Sequence, residues 1–197
     1  MALYPTVPAA VAGTIDSNGV ATGIFESTHN DCAGGRKTVL TFKDLSVALG
    51  DDAGVKGWLA QKILTLADGL VVFKGAVVDL TALSSTYPAV TGVVAAWDGD
   101  FALGSIAASD DNDASPDGAE VDLVALTATV QAVAGLGVLK GISTTTEAPL
   151  TKDGTSSPFD IYLNIVIDDG DQDVTTTPTS LVLNGTVTID WQYIGDK

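Results

Sequence analysis

The sequence predicts an all-β chain, folded as an antiparallel β-sandwich of jelly-roll-like form. Three observations predict it. Val, Ala, Thr, Gly and Leu dominate a chain that is 46% hydrophobic and only 17% charged, a composition that suits pleated, half-buried strands better than helices or disorder. Near the C-terminus, apolar residues recur with period two. Turn-forming clusters such as "GDDAG", "ADG", "DGD" and "SDDNDASPDG" separate the apolar runs, as they must where many strands reverse direction.

At 197 residues the chain is long enough for one domain burying roughly 70% of its unfolded surface. No compositional break or fixed-period repeat divides it. The opening "MALYPTVPAAVAGT" is apolar, but it lacks a basic leader segment and is interrupted by Pro5 and Pro8, so it fits neither a signal peptide nor a membrane span. Proline removes a backbone donor and biases its predecessor towards extended geometry. Residues 1–36 are therefore expected to form an extended arm and a first hairpin, with a single β-sandwich domain at 37–197. Tyr4, Pro5, Val7 and Pro8 are the candidate interface residues of that arm, because an extended segment can add to the edge of a neighbour's sheet.

Along the chain, "KTVLTF" from Lys37, "LSVAL" from Leu45, "KILTL" from Lys62 and "LVVFKGAVVDL" from Leu70 read as strands. The stretch from Val55 to Leu66 could pass for a helix, but Gly57 disfavours one by roughly 1 kcal/mol relative to alanine, and a strand is expected. "AVTGVVAAW", "FALGSIAA", "VDLVALTATVQAV" and "GLGVLKG" continue the pattern. In the C-terminal third, Phe159, Ile161, Leu163, Ile165 and Ile167 alternate with Asp160, Tyr162, Asn164, Val166 and Asp168. Leu181, Leu183, Val187, Ile189, Trp191 and Tyr193 then alternate with Asn184, Thr186, Thr188, Asp190 and Gln192. Two strands with one buried face each follow, within a total of roughly nine or ten short strands.

Charge narrows the partners. Nine basic residues against 25 acidic ones give a net charge of -16, a field that repels phosphate backbones and anionic lipid, so neither nucleic acid nor membrane is an expected partner. The sole cysteine, Cys32, excludes an intrachain disulfide, and the fold can form in a reducing cytoplasm.

Candidate chemistry is sparse. The stretch "DDGDQD" carries four aspartates, and Asp169, Asp171 and Asp173 match the opening of a calcium loop with its alternating oxygen ligands. Glycine at the sixth position and glutamate at the twelfth are required next, but Val174 and Ser180 stand there. These three are weak metal candidates, and an acidic connection between two strands is the plainer expectation. His29, Asp31 and Cys32 lie together, yet a chain with one histidine and one cysteine cannot complete a four-ligand zinc site from those types. A Cys–His nucleophile would also need orienting and oxyanion-binding groups. "GTSSP" is no nucleophile elbow and "AGLGVLKG" lacks phosphate-loop spacing. No catalytic residue, no cofactor and no enzymatic activity are expected. Gly185, within "NGT", is expected to mark a bulge or bend, and Trp58, Trp97 and Trp191 to be core or interface anchors.

Six strings form a recognisable set: "FKGAVVDL" from Phe73, "AAWDGDFALGSIAA" from Ala95, "QAVAG" from Gln131, "STTTEA" from Ser143, "DIYLNIVIDDGDQDVTTTP" from Asp160 and "LVLNGTVTIDW" from Leu181. In this order, over roughly residues 37–197, the chain resembles a family of structural proteins from tailed bacteriophages. The resemblance implies a capsid decoration, or cement, protein on the outer surface of the icosahedral head, made in the host cytoplasm. The implied partners are the major capsid protein and further copies of the chain as a homo-oligomer, and no catalytic residues are implied. The acidic stretch is then a linker between the last two strands. A head-fibre, tail or connector component of the virion is the alternative, and a calcium-dependent carbohydrate-binding module is a remoter one.

Overall fold

Strands that alternate apolar and polar residues bury their apolar faces most simply by stacking two sheets. The structure, a computed structural model, has this arrangement. It describes residues 14–15, 21–30, 35–48, 50–52, 56–66, 69–84, 99–108, 116–133, 136–142, 150–153, 159–167 and 180–195. The strands in chain order are β1 (Thr14–Ile15), β2 (Ala21–Asn30), β3 (Gly35–Ala48), β4 (Gly50–Asp52), β5 (Lys56–Leu66), β6 (Leu70–Ser84) and β7 (Gly99–Gly104). After a 3-10 turn at Gly118–Glu120 come β8 (Val124–Ala128), β9 (Val130–Val133), β10 (Leu136–Ile142), β11 (Leu150–Asp153), β12 (Phe159–Ile167) and β13 (Ser180–Gly195).

One sheet runs β1-β2-β3-β13-β6-β10-β9, with β11 also paired to β6; the other runs β4-β5-β12-β7-β8. Every pairing is antiparallel. The cores of the two sheets, β3-β13-β6-β10 and β5-β12-β7-β8, have the eight-strand interleaving of a jelly roll. The chain passes from one sheet to the other between β3 and β4, β5 and β6, β6 and β7, β11 and β12, and β12 and β13, and at Thr129 it does so between the adjacent strands β8 and β9, whereas the β7–β8 connection returns to its own sheet. There the Thr129 N–H donates to the Gly99 carbonyl at 2.8 Å. The predicted jelly-roll-like sandwich is observed.

Thirteen strands among the described residues replace the nine or ten short ones expected. Some are far longer, β13 having 16 residues and β6 having 15, and β1, β4 and β11 are short edge pieces. "KTVLTF" and the Leu45–Ala48 part of "LSVAL" prove to be one strand, β3, because a bulge absorbs the break in alternation between them. Leu183 pairs with Leu45 but Gly185 pairs with Phe42, so Lys43 and Asp44 together face Asn184. Gly185 sits at φ +126°, and a Cβ there would stand 2.3 Å from the Asp79 carbonyl oxygen. It is the bulge glycine that the sequence predicts. Residues 36 and 37, where the arm was expected to meet the sandwich, lie inside β3, and β2 pairs with β3 from Gly23↔Lys43 to Asn30↔Arg36.

Inward side chains of both sheets form one core, with Leu40, Phe42, Val187, Ile189 and Trp191 meeting Leu64, Phe101, Ile161, Leu163 and Ile165. Removal of such chains from water is the main favourable term in folding. The predicted inward set of β13 is buried from Leu181 to Trp191, and Tyr193 packs against its end.

The one-faced expectation for β12 is corrected. Asn164 is fully buried and Val166 is 4% exposed, because the β7–β8 connection folds over the outer face of the small sheet. Asn164 Oδ1 accepts from the Ala108 N–H at 2.9 Å, and its Nδ2 donates to the carbonyls of Ile106 and Glu120 at 3.1 and 2.8 Å. Asp122 fastens the same segment, accepting from the Ser105 N–H and hydroxyl at 2.9 and 2.8 Å. Period two alone cannot reveal a cover laid over the polar face.

Candidate functional site

Basic residues are scarce in this chain, so their placement is informative. In the large sheet His29 is register partner of Lys37, Lys37 of Asp190 and Asp190 of Gly75. Partners in register have Cβ atoms only about 5 Å apart. A bulge in β6 adds Lys74 to the row, since Trp191 pairs with Phe73 and Asp190 with Gly75. Phe73 and Ala76 both face inward, which strict alternation would forbid, and the irregularity leaves Lys74 exposed between them. His29, Lys37, Asp190 and Lys74 are all exposed.

Arg36, the sole arginine, differs. It follows the parity of Thr38, Leu40 and Phe42, all buried, and is itself 7% exposed at the end of the sheet. Its guanidinium carbon lies 4.8 Å from the centroid of the Trp191 ring and 6.0 Å from that of Tyr193. An aromatic face attracts a cation, more strongly where water is excluded. Trp191 is held in turn, its Nε1–H donating to the Thr38 hydroxyl at 3.0 Å.

His29, Arg36, Lys37, Lys74, Asp190 and Trp191, with Gly35, line an open cleft of about 470 Å3, within the range of ligand sites. Three of the nine Lys and Arg residues and the sole histidine line it, against the one carboxylate of Asp190. Among the described residues neither Lys37 nor Lys74 has an ion-pair partner. Lys37 and Lys74 thus give the exposed side of the cleft a local excess of positive charge among the described residues, on a chain of charge -16, and such a surface suits an anionic group such as a carboxylate or phosphate. The next row of the same face is apolar, with Val77 and Ile142 paired in register and exposed by 44% and 68%.

Asp169, Asp171 and Asp173 lie outside the described residues, as do Tyr4, Pro5, Val7, Pro8, Asp31, Cys32 and Trp97. Among the described residues no group of three or more His, Cys, Asp or Glu is placed to hold a metal ion, and no helix is long and apolar enough to cross a membrane. His29, considered above for thiol and zinc chemistry, stands beside Lys37, with its Nε2 3.2 Å from the Ser27 hydroxyl. The cationic cleft was missed in the sequence. Its one local trace is the clustering of His29, Arg36 and Lys37 in "HNDCAGGRK".

Fold and site together define an all-β jelly-roll protein with a cationic cleft at one end of its larger sheet. Comparison of the chain with protein-family models, curated proteins and solved structures finds no match.

Proposed function

We propose that the protein is a bacteriophage capsid decoration, or cement, protein that binds the outside of the icosahedral head. One observation carries this reading. The strings that resemble phage structural proteins fall on the central strands of both sheets: Phe73–Leu80 on β6, the run from Leu181 on β13, the run from Asp160 on β12 and "GDFALG" on β7. In space β13 pairs with β6, and β12 with β7. The resemblance thus covers the paired centre of the sandwich, the part that specifies a jelly roll.

A rigid sandwich can act as cement by bridging adjacent capsomers. Many weak contacts on a fixed lattice gain avidity, and a protein that binds only the assembled shell stabilises it by mass action. The test is to mix purified protein with phage heads lacking it and measure bound copies by co-sedimentation. Saturation at a fixed ratio to the capsid subunit, together with greater heat resistance of the heads, is the expected result. Absence of binding, or only a few copies per particle, would replace this reading with a head-fibre, tail or connector role.

A further inference from the structure

We infer that two copies of this chain associate face to face through the outer side of the larger sheet, about a two-fold axis that crosses the strands at Val77. The pairing needs no capsid and does not rest on the decoration reading. Three adjacent rows of that face carry the argument. In the middle row Val77 is in register with Ile142 and Thr188, and Thr188 with Val39; Val77 and Ile142 are both exposed. To one side of this largely apolar row lie Lys37, Asp190 and Lys74, and to the other lie Thr186, Asp79 and Lys140. Lys74 and Asp79 are exposed, and Lys74 has no ion-pair partner among the described residues. Asp79 pairs with Lys140 at 3.3 Å, on an open surface where such a pair contributes little.

Charge complementarity points to a second copy as the occupant and fixes how it lies. Two molecules of charge -16 repel unless the surfaces that meet are themselves not acidic. The three rows hold three lysines against two aspartates, whereas the connection over the small sheet carries Asp117, Glu120 and Asp122, with no lysine or arginine in residues 105–123. Stacked sheets lie about 10 Å apart, a gap that a lysine and an aspartate side chain span between them. A two-fold axis along β6 would set Lys74 against Lys74 and Asp79 against Asp79 of the second copy, both repulsive. The axis across the strands reverses β6, so the bulge at Lys74 and Gly75 of each copy meets Asp79 of the other. Thr186 then meets Asp190 of the second copy, with a hydroxyl able to donate to its carboxylate. Val77, Ile142 and Val39 each meet their own equivalents on the axis and leave water together. Such an interface is isologous and closes as a dimer.

The test is sedimentation velocity over a concentration series with the full chain and three single variants, their folding checked by thermal melting. A monomer–dimer equilibrium is expected for the wild type. Lys74→Asp and Asp79→Lys should each weaken it at least about tenfold, because each sets like charges together twice in the symmetric pair. Asp79→Lys also lowers the net negative charge, so general repulsion alone would predict tighter association for it. An equal mixture of these two variants should dimerise as the wild type does, since complementary charges meet again at both contacts. Val77→Glu, which places two carboxylates on the axis, should leave monomer. A wild-type chain that stays monomeric, an Asp79→Lys or Val77→Glu variant that associates as tightly as the wild type, or a mixture that stays weak would each overturn the assignment.

Discussion

Asn184 and Asp44 hold each other across the β3–β13 bulge by two reciprocal hydrogen bonds. The Asp44 N–H donates to Asn184 Oδ1 at 2.9 Å, and Asn184 Nδ2 donates to Asp44 Oδ1 at 3.0 Å. Asp44 has φ +42°, a left-handed conformation that aspartate tolerates better than most residues. The pair fixes the point where β3 gains a residue, and hence which side chains of β3 face the core on either side of it. Asn184→Ala should destabilise the protein by about 1 kcal/mol and lower Tm by roughly 3 °C for a chain of this size. An unchanged melting curve would show that the bulge is set by Gly185 alone.

Gly185 itself should tolerate no side chain. At φ +126°, with the Asp79 carbonyl in the path of a Cβ, Gly185→Ala combines backbone strain with a clash against a neighbouring strand. A loss of at least about 3 kcal/mol is expected in denaturant unfolding. Gly118→Ala is the control: its φ is +52° but a Cβ would meet nothing within 4 Å, so about 1 kcal/mol is expected.

Asn164 joins β12 to the segment that covers it. Asn164→Leu would leave the Ala108 N–H and the carbonyls of Ile106 and Glu120 without their present partner. Each buried group left unsatisfied costs about 1–3 kcal/mol, so a total of about 3 kcal/mol or more is expected. Hydrogen exchange should show lost protection at the Ala108 amide before any loss in the strands of the large sheet. Uniform loss across both sheets would refute a local role.

Arg36 and Trp191 can be tested as a pair. Arg36→Met keeps an apolar stem but removes the charge over the indole, and about 1–2 kcal/mol of stability should be lost, as for a largely desolvated cation–π contact. In a double-mutant cycle with Trp191→Phe, the two losses should fall short of additivity by about 0.5 kcal/mol or more. Simple additivity would mean that Arg36 and Trp191 stabilise the fold independently of each other.

Much of the architecture was legible because strand alternation and turn chemistry are written in neighbouring residues. The inward set from Leu181 to Trp191 and the strand at Lys56–Leu66 follow from patterns a few residues long, as does the bulge at Gly185. Burial of Asn164 was not legible, since a period-two strand reports one apolar face and says nothing of a connection folded over the other. Nor was the cleft. His29, Lys37, Lys74 and Asp190 come from four strands, and only the register of β2 with β3, β3 with β13 and β13 with β6 sets them side by side. The sequence by itself determined that the fold is built of antiparallel strands and which face of β13 is apolar, because those depend on local periodicity. The order of strands in each sheet, the parity change at Lys74 and the meeting of cations on an acidic chain were decided by tertiary structure. They arise from long-range pairings chosen by packing of the whole core, which no short stretch encodes.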